Sequence, residues 1–235
     1  MRLILILLFF FSNCSTDEQV ISIVCANSSN NPKNDISVSP SYDSMKICIS
    51  NYRKSLAVSD TGKNYLLLEK SFVSVIVDSI FPYWYGTEWD FNGVTQRPRN
   101  GAIACGYFVS TVLRDAGIVL NRVKVGQSAS LLIVKDFANK KDTKSFANMP
   151  LASTLSFVKA QGPGLFIIGL DSHIGFIHND GQHTWFIHSK WANPKAVVKE
   201  DASQSGILYY SKYRIIGKIS NNKVLLDKWL NDTIR

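Results

Sequence analysis

All four histidines of the chain lie in one segment, HIGFIHNDGQHTWFIH, at residues 173–188. Two short apolar stretches flank a central Asp-Gly dipeptide, which is a strong signal for a two-residue β-hairpin turn. With this dipeptide as the turn, His173 opposes His188 and His178 opposes His183. Opposed residues have Cβ atoms about 4.5–5.5 Å apart, so the rings of each pair can meet. A histidine pair of this kind can supply the base and the orienting group of a nucleophilic site.

Cys105 is the candidate nucleophile. It lies in the first turn of a helix that we predict to begin within 101–104 and to end at 117, where free backbone N–H groups and the helix dipole favour a thiolate. The same N–H groups are candidate donors to an oxyanion. Taken alone, a cysteine in an apolar helical stripe is more often a small core residue. The combination of this thiol with His173 and His188 is what favours catalysis.

Alternation along the two predicted strands separates their residues into two faces. One face is apolar and is predicted to pack as core. The other carries both His173 and His188, with Gly175 leaving room for close approach. If the Cys105 helix packs on this second face, His173 can accept the thiol proton and His188 can orient its ring. His178 and His183 flank the turn and are expected to be exposed. The predicted core face consists of Ile174, Phe176, Trp185 and Ile187.

Two stretches of the sequence resemble the NlpC/P60 superfamily of papain-like cysteine peptidases. ACGYFVS at residues 104–110 resembles its nucleophile motif, and HIGFI at residues 173–177 resembles its His-Val-Gly strand. FIHS at residues 186–189 resembles the strand that bears its third polar residue. The resemblance covers roughly residues 80–190, and members of the family commonly cut the stem peptides of peptidoglycan.

The resemblance implies a role for each candidate residue: Cys105 is the nucleophile, His173 the base and His188 the orienting group. Papain-like enzymes generally place a glutamine upstream of the nucleophile as an oxyanion donor. Gln96 is the candidate for that role, although a glutamine in a loop more often faces solvent.

The segment at residues 81–101, FPYWYGTEWDFNGVTQRPRNG, is rich in aromatic residues, glycine and proline. It is too long for a simple connection, and long loops in compact domains are usually functional. Tyr85 and Trp89 are candidate substrate-binding residues. Trp84 and Phe91 are further candidates for lining the cleft, against the commoner fate of aromatic residues as core.

The N-terminus has the pattern of an export signal. Arg2 precedes an apolar run at residues 3–11, which is too short to span a bilayer but fits the core of a signal peptide. Cys14 follows closely and resembles the lipidated cysteine of a bacterial lipoprotein. We therefore predict a leader over 1–13 and a lipid anchor at Cys14, on a membrane that faces the periplasm or the cell surface. A cleaved secretory signal is the alternative.

Residues 14–44 are rich in Ser, Asn, Asp and Pro and are predicted to form a flexible tether, with the catalytic domain over 45–235. In an oxidising compartment Cys25 and Cys48 could pair, which would leave Cys105 as a free thiol. The chain has no CxxC or HExxH spacing, and we expect no metal and no organic cofactor.

The charge and the order of elements bound the function further. The net charge is +8, but the basic residues form no stripe interleaved with aromatics, so we expect no nucleic-acid partner. A basic surface suits a cell wall or lipid headgroups. Helices followed by an antiparallel meander indicate an α+β fold. The resemblance implies that this fold is of the papain-like NlpC/P60 type, with N-terminal helices packed on the sheet. Helices are predicted near 45–56, 63–80, 101–117, 127–138, 150–160 and 223–231, and strands near 164–170, 173–178, 183–188 and 212–219.

These patterns predict a cysteine hydrolase of the cell envelope that cleaves amide bonds. The resemblance, the predicted compartment and the basic surface favour peptidoglycan peptides as its substrate. Three alternatives remain at this stage. The same site could catalyse acyl transfer or hydrolyse another amide or ester, because a fold does not fix a substrate. The domain could instead be a non-catalytic surface-binding lipoprotein. The histidine cluster could bind a metal, although only two histidines share each predicted face.

Overall fold

The computed structural model describes residues 40–59 and 64–231, which form helices packed on an open antiparallel sheet. The predicted α+β class is confirmed. The predicted leader, the anchor residue Cys14 and the predicted partner Cys25 lie outside the described residues. Among the helices that are described, none is long and apolar enough to cross a membrane. The strands are β1 Thr143–Ala147, β2 Gly164–Leu170, β3 Ile174–Asn179, β4 Thr184–Ser189, β5 Val197–Asp201 and β6 Tyr213–Lys218.

The sheet runs in the order β1-β6-β2-β3-β4-β5, so β2 and β3 lie at its centre. The four predicted strands are confirmed within a residue or two, whereas the edge strands β1 and β5 were not predicted. A π-helical turn, Val75–Ile80, joins the second and third helices. The helices are α1 Tyr42–Ser59, α2 Tyr65–Ser74, α3 Phe81–Trp84, α4 Cys105–Asp115, α5 Arg122–Gly126, α6 Ser130–Phe137, α7 Leu151–Ala160, α8 Gly206–Tyr210 and α9 Lys223–Asn231.

The first helix starts earlier than predicted, at Tyr42 rather than near Met45. The Tyr42 hydroxyl donates to the Asp115 carboxylate at 2.7 Å and accepts a hydrogen bond from the Trp84 indole at 2.8 Å. The end of the predicted tether therefore packs on the domain. Trp84 is fully buried in this contact, which makes it a core residue and not part of a cleft.

The turn of the β3–β4 hairpin lies one residue further along the chain than predicted, at Gly181 and Gln182. Gly181 has a φ of +97° and takes the first central position of the turn, while the Asp180 carboxylate accepts from the N–H groups of Gln182 and His183. The pairing then sets His178 opposite Trp185, and not opposite His183. Because the shift moves opposed residues by two places, the face on which each side chain lies does not change.

The sheet separates two hydrophobic clusters, one on each face. Helix α4 packs with Phe108 against Phe176 of β3, at a ring-centroid distance of 6.0 Å. Helices α7 and α8 cover the other face, which carries Phe186. The Cys105 helix therefore packs on the apolar face of the hairpin and not on the histidine face. The apolar stripe of α4 matches the apolar face of the hairpin, and burying those two surfaces together is the more favourable arrangement.

Candidate active site

His173, His188 and Glu200 form a continuous hydrogen-bonded chain. Nε2 of His173 lies 2.8 Å from Nδ1 of His188, and Nε2 of His188 lies 3.3 Å from Oε1 of Glu200. Both rings are buried, with His188 fully inaccessible. The predicted histidine pair is confirmed as a contact, but the two residues meet diagonally and not directly opposite each other.

Two features of the hairpin hold His188 in this position. Its ring stacks on Phe186 with centroids 3.9 Å apart. Gly175 lies beside it, and a Cβ on that residue would come within 2.8 Å of the His188 Cβ. The sequence predicts that Gly175 leaves room for a helix or a substrate, but the groups that lie against it are the side chains of Phe186 and His188.

Glu200 is the acidic end of the chain. Its Oε2 accepts from the Lys190 ammonium at 2.7 Å, and its Oε1 accepts from the Ser205 hydroxyl at 2.5 Å. Burial raises the pKa of this carboxyl, but the hydrogen bonds from His188, Lys190 and Ser205 outweigh burial and lower the pKa to about 2. Glu200 is therefore ionised at neutral pH.

Both histidines are neutral at pH 7. Burial, reinforced by the neighbouring His188, lowers the pKa of His173 to about 3. Burial also lowers the pKa of His188, although Glu200 opposes that shift. Nδ1 of His173 makes no hydrogen bond within the described part of the chain. One ring nitrogen of this residue thus remains available for a proton from another group.

The Cys105 thiol lies where α4 meets the start of β3. Cys105 is the first residue of α4 and is partly buried. Burial raises the pKa of the thiol, and the N–H groups of Ile174, Gly106 and Cys105 itself oppose that shift without cancelling it. Ile174 directly follows His173, so the sulfur contacts the backbone beside the histidine pair. Among the described residues, no hydrogen bond joins the thiol to an imidazole ring.

The N-terminus of α4 is fixed from two sides. The Ser189 hydroxyl donates to the Ile103 carbonyl at 2.6 Å, which ties the segment before Cys105 to the residue after His188. On the other side, Gly106 lies against the Gly126 carbonyl oxygen, with no space for a Cβ. The segment that carries the thiol and the strand that carries His188 are therefore fixed to each other.

Replacing Gly106 by alanine is expected to lower the free energy of unfolding by about 1–3 kcal/mol, because the added methyl overlaps the Gly126 carbonyl. Urea denaturation measures the effect. Gly206→Ala is the matched control, because the nearest atom to its new Cβ is the edge of the Tyr210 ring at 4.0 Å. Equal stability of the two variants would show that α4 is not held by this contact.

Gln96 does not lie beside the thiol. Its side-chain oxygen accepts from the Arg114 guanidinium at 2.6 Å, and Arg114 is near the far end of α4. Arg114 is nine positions along the helix from Cys105, a distance of about 14 Å. The assignment of Gln96 as an oxyanion donor is therefore wrong, because its hydrogen bond with Arg114 holds the side chain near the far end of α4.

The predicted aromatic candidates have different environments. Tyr85 is half-buried against the core, and burial together with Asp78 raises its pKa to about 12. Trp89 is half-buried, and its backbone N–H donates to Lys195 in the loop that follows β4. Phe91 is 80% exposed. Of these, Trp89 belongs to a segment that pairs with the chain leading into β5, the strand that carries Glu200.

The remaining two histidines are outside the chain of hydrogen bonds. His183 is exposed, as predicted. His178 is half-buried beside Trp185, which differs from the predicted exposure because it lies within β3 and not at the turn. Across residues 40–59 and 64–231, no group of three or more His, Cys, Asp or Glu side chains is arranged to hold a metal ion.

An open cavity of about 440 Å³ borders His173. A volume of this size is typical of small-molecule sites. Its walls come from the β2–β3 turn, the loop after β4, and α8. The residues that line it include Leu170, Asp171, Lys190, Trp191, Ile207 and Tyr210.

Glu200 and Lys190 were not found from the sequence. Val197–Asp201 is a short edge strand in which apolar and polar residues do not alternate clearly. The sequence therefore gave no reason to place Glu200 beside β4. The one available signal is the pair of valines that begins the strand shortly after a proline and before a turn. The aromatic Trp191 of the cavity was missed because its loop has no recognisable motif.

None of the protein-family models, curated proteins or solved structures compared with the chain matches it.

Proposed function

We propose that the protein is an extracytoplasmic cysteine hydrolase of the papain-like NlpC/P60 type that cleaves amide bonds in peptidoglycan peptides. Cys105 is the nucleophile, His173 the base and His188 the orienting residue. One observation carries the proposal: a hydrogen-bonded His173–His188–Glu200 chain, with both imidazole rings buried, begins next to a helix N-terminus that bears a free thiol. The sequence of residues 1–14 supports export and a lipid anchor in the cell envelope.

The reaction requires one proton acceptor and one site for an oxyanion. As the Cys105 sulfur attacks the amide carbon, its proton passes to Nδ1 of His173, and the carbonyl oxygen gains negative charge. The N–H groups around the sulfur, including that of Ile174, are suited to stabilise this charge. His173 then returns the proton to the amine that leaves, which gives a thioester on Cys105.

Water completes the cycle. His173 removes a proton from the water that attacks the thioester, and the same proton returns to the sulfur as the carboxylic acid product leaves. The Cys105 thiol and the His173 imidazole are both neutral in the resting protein. This suits the scheme, because His173 must begin each half-reaction with an unprotonated ring nitrogen. Catalytic hydrogen bonds are often long in the absence of substrate, so the thiol and imidazole are expected to close together in the complex.

The test is hydrolysis of purified muropeptides by the full-length protein, with the products identified by mass spectrometry. The proposal requires new amine and carboxylate termini at one amide bond of the peptide. Cleavage of other amides or esters only, or transfer of the acyl group to an added amine, would assign the same site to the alternative thiol chemistries.

One observation favours a second candidate, a non-catalytic surface-binding lipoprotein. The Cys105 thiol is protonated at neutral pH and makes no hydrogen bond to a described imidazole. In this alternative the 440 Å³ cavity binds a wall fragment without turnover. Muropeptide binding by calorimetry with no product after prolonged incubation would support it.

Alkylation of Cys105 by iodoacetamide is expected to accelerate as the pH rises, because only the thiolate reacts and burial raises the thiol pKa. The pH at which the alkylation rate reaches half its maximum should lie above the ordinary pKa of a cysteine thiol. The difference in labelling between the protein and its Cys105→Ala variant isolates this thiol from the others. Rapid labelling with a plateau already below pH 7 would contradict the neutral thiol, and no labelling at pH 9.5 would favour the binding protein.

A further inference from the structure

We infer that Glu200 is a positioning residue that sets the direction of the hydrogen bonds through His188, so that His173 presents an unprotonated Nδ1. The direction of these bonds is a property of the folded protein and does not require an activity. Only the predicted effect on rate rests on the proposed function.

The first step is the state of Glu200. An ionised carboxylate has lone pairs and no proton, so it can only accept hydrogen bonds. Its described neighbours agree with that role, since the Lys190 ammonium and the Ser205 hydroxyl both donate to it. The contact of 3.3 Å with His188 must therefore be donated by the ring, which places the His188 proton on Nε2.

The second step follows from the chemistry of neutral imidazole, which has one N–H donor and one acceptor nitrogen. Because Nε2 of His188 carries the proton, its Nδ1 is an acceptor. The 2.8 Å contact is then donated by Nε2 of His173. Nδ1 of His173 is left with a lone pair and, within the described residues, without a hydrogen-bond donor. This is the nitrogen that can act as a base.

The third step is the response to Glu200→Gln, in which one oxygen becomes an amide NH₂ group. The Lys190 ammonium has only donors, so it keeps the amide oxygen on its own side. The NH₂ group then faces Ser205 and His188. The Ser205 hydroxyl can accept, and Nε2 of His188 can accept only if its proton moves to Nδ1. The bond to His173 then reverses, and the His173 proton moves to Nδ1, the nitrogen that the mechanism requires to be free.

The experiment is two-bond ¹H–¹⁵N spectroscopy of ¹⁵N-histidine-labelled protein at neutral pH, which distinguishes a protonated ring nitrogen from a bare one. The native protein should show His173 and His188 both protonated at Nε2. Glu200→Gln should show both protonated at Nδ1, and its kcat for muropeptide hydrolysis should fall by at least about 100-fold, because presenting the wrong tautomer costs a catalytic triad about 10⁴-fold.

Asp201→Asn is the matched control. Asp201 is the next residue of β5, and its carboxylate accepts hydrogen bonds from the N–H and the hydroxyl of Ser203. The control should keep both tautomers and the native rate. A Glu200→Gln protein that keeps His173 protonated at Nε2 would overturn the inference. If that variant does not fold, the native spectrum decides, since a proton on Nδ1 of His173 there would overturn the inference equally. Native tautomers as expected, with no hydrolysis of any substrate, would uphold the inference and remove the proposed function.

Discussion

Replacing Cys105 by alanine is expected to abolish amide hydrolysis while the protein stays folded. The variant lacks the atom that attacks the carbonyl carbon, and loss of a nucleophile lowers turnover by about 10⁴-fold or more in enzymes of this kind. The loss of one partly buried sulfur removes no described hydrogen bond to an imidazole. Turnover of muropeptides and the urea unfolding midpoint, measured on the same preparation, give the two readouts.

Cys48→Ala is the control for this variant. Cys48 is a buried cysteine of α1, so its replacement tests the loss of a sulfur atom in the core without touching the candidate site. It should lose some stability and keep full turnover. A Cys105→Ala protein that hydrolyses muropeptides at the native rate would exclude the thiol mechanism, whatever the stability of either variant.

Replacing His173 by alanine is expected to lower kcat by about 10³-fold or more, because the variant lacks the base that accepts the thiol proton in the proposed mechanism. The replacement also enlarges the 440 Å³ cavity that His173 borders. Free imidazole added to the buffer should therefore enter the vacated space and restore part of the rate. Rescue of this kind separates a missing base from general damage to the fold.

His183→Ala is the matched control for this second prediction. His183 is exposed at the hairpin turn and does not take part in the hydrogen-bonded chain, so its removal should leave both the rate and the imidazole response unchanged. A His173→Ala variant with native turnover would remove His173 from the mechanism, and with it the role of His188.

The centre of the sheet could be predicted from the sequence because its strands have strong local signals. GLFIIGL at residues 164–170 is a continuous apolar run, as a strand buried on both faces requires, and every residue of it is buried. The hairpin residues alternate, so His173 and His188 were assigned to one face even though the turn was misplaced. The turn was misplaced because an Asp-Gly dipeptide fits two positions in a hairpin turn, and of its two residues only Gly181 has a positive φ.

The parts that could not be predicted depend on contacts between distant segments. The edge strands β1 and β5 are short and polar, and their pairing is decided by their neighbours in the sheet. Glu200 belongs to one of them, so the acidic end of the histidine chain was missed. The face of the hairpin on which α4 packs could not be predicted either, because it depends on how well Phe108 fits the apolar face compared with the histidine face.

The central claim is that Cys105 carries the acyl group during turnover. Acid quenching of the protein during muropeptide hydrolysis, followed by mass spectrometry of its peptides, measures this directly. The account predicts a thioester on the peptide that contains Cys105, which accumulates when acylation is faster than hydrolysis and is absent from the Cys105→Ala variant. Hydrolysis that proceeds with no adduct on Cys105 and persists in the variant would contradict it.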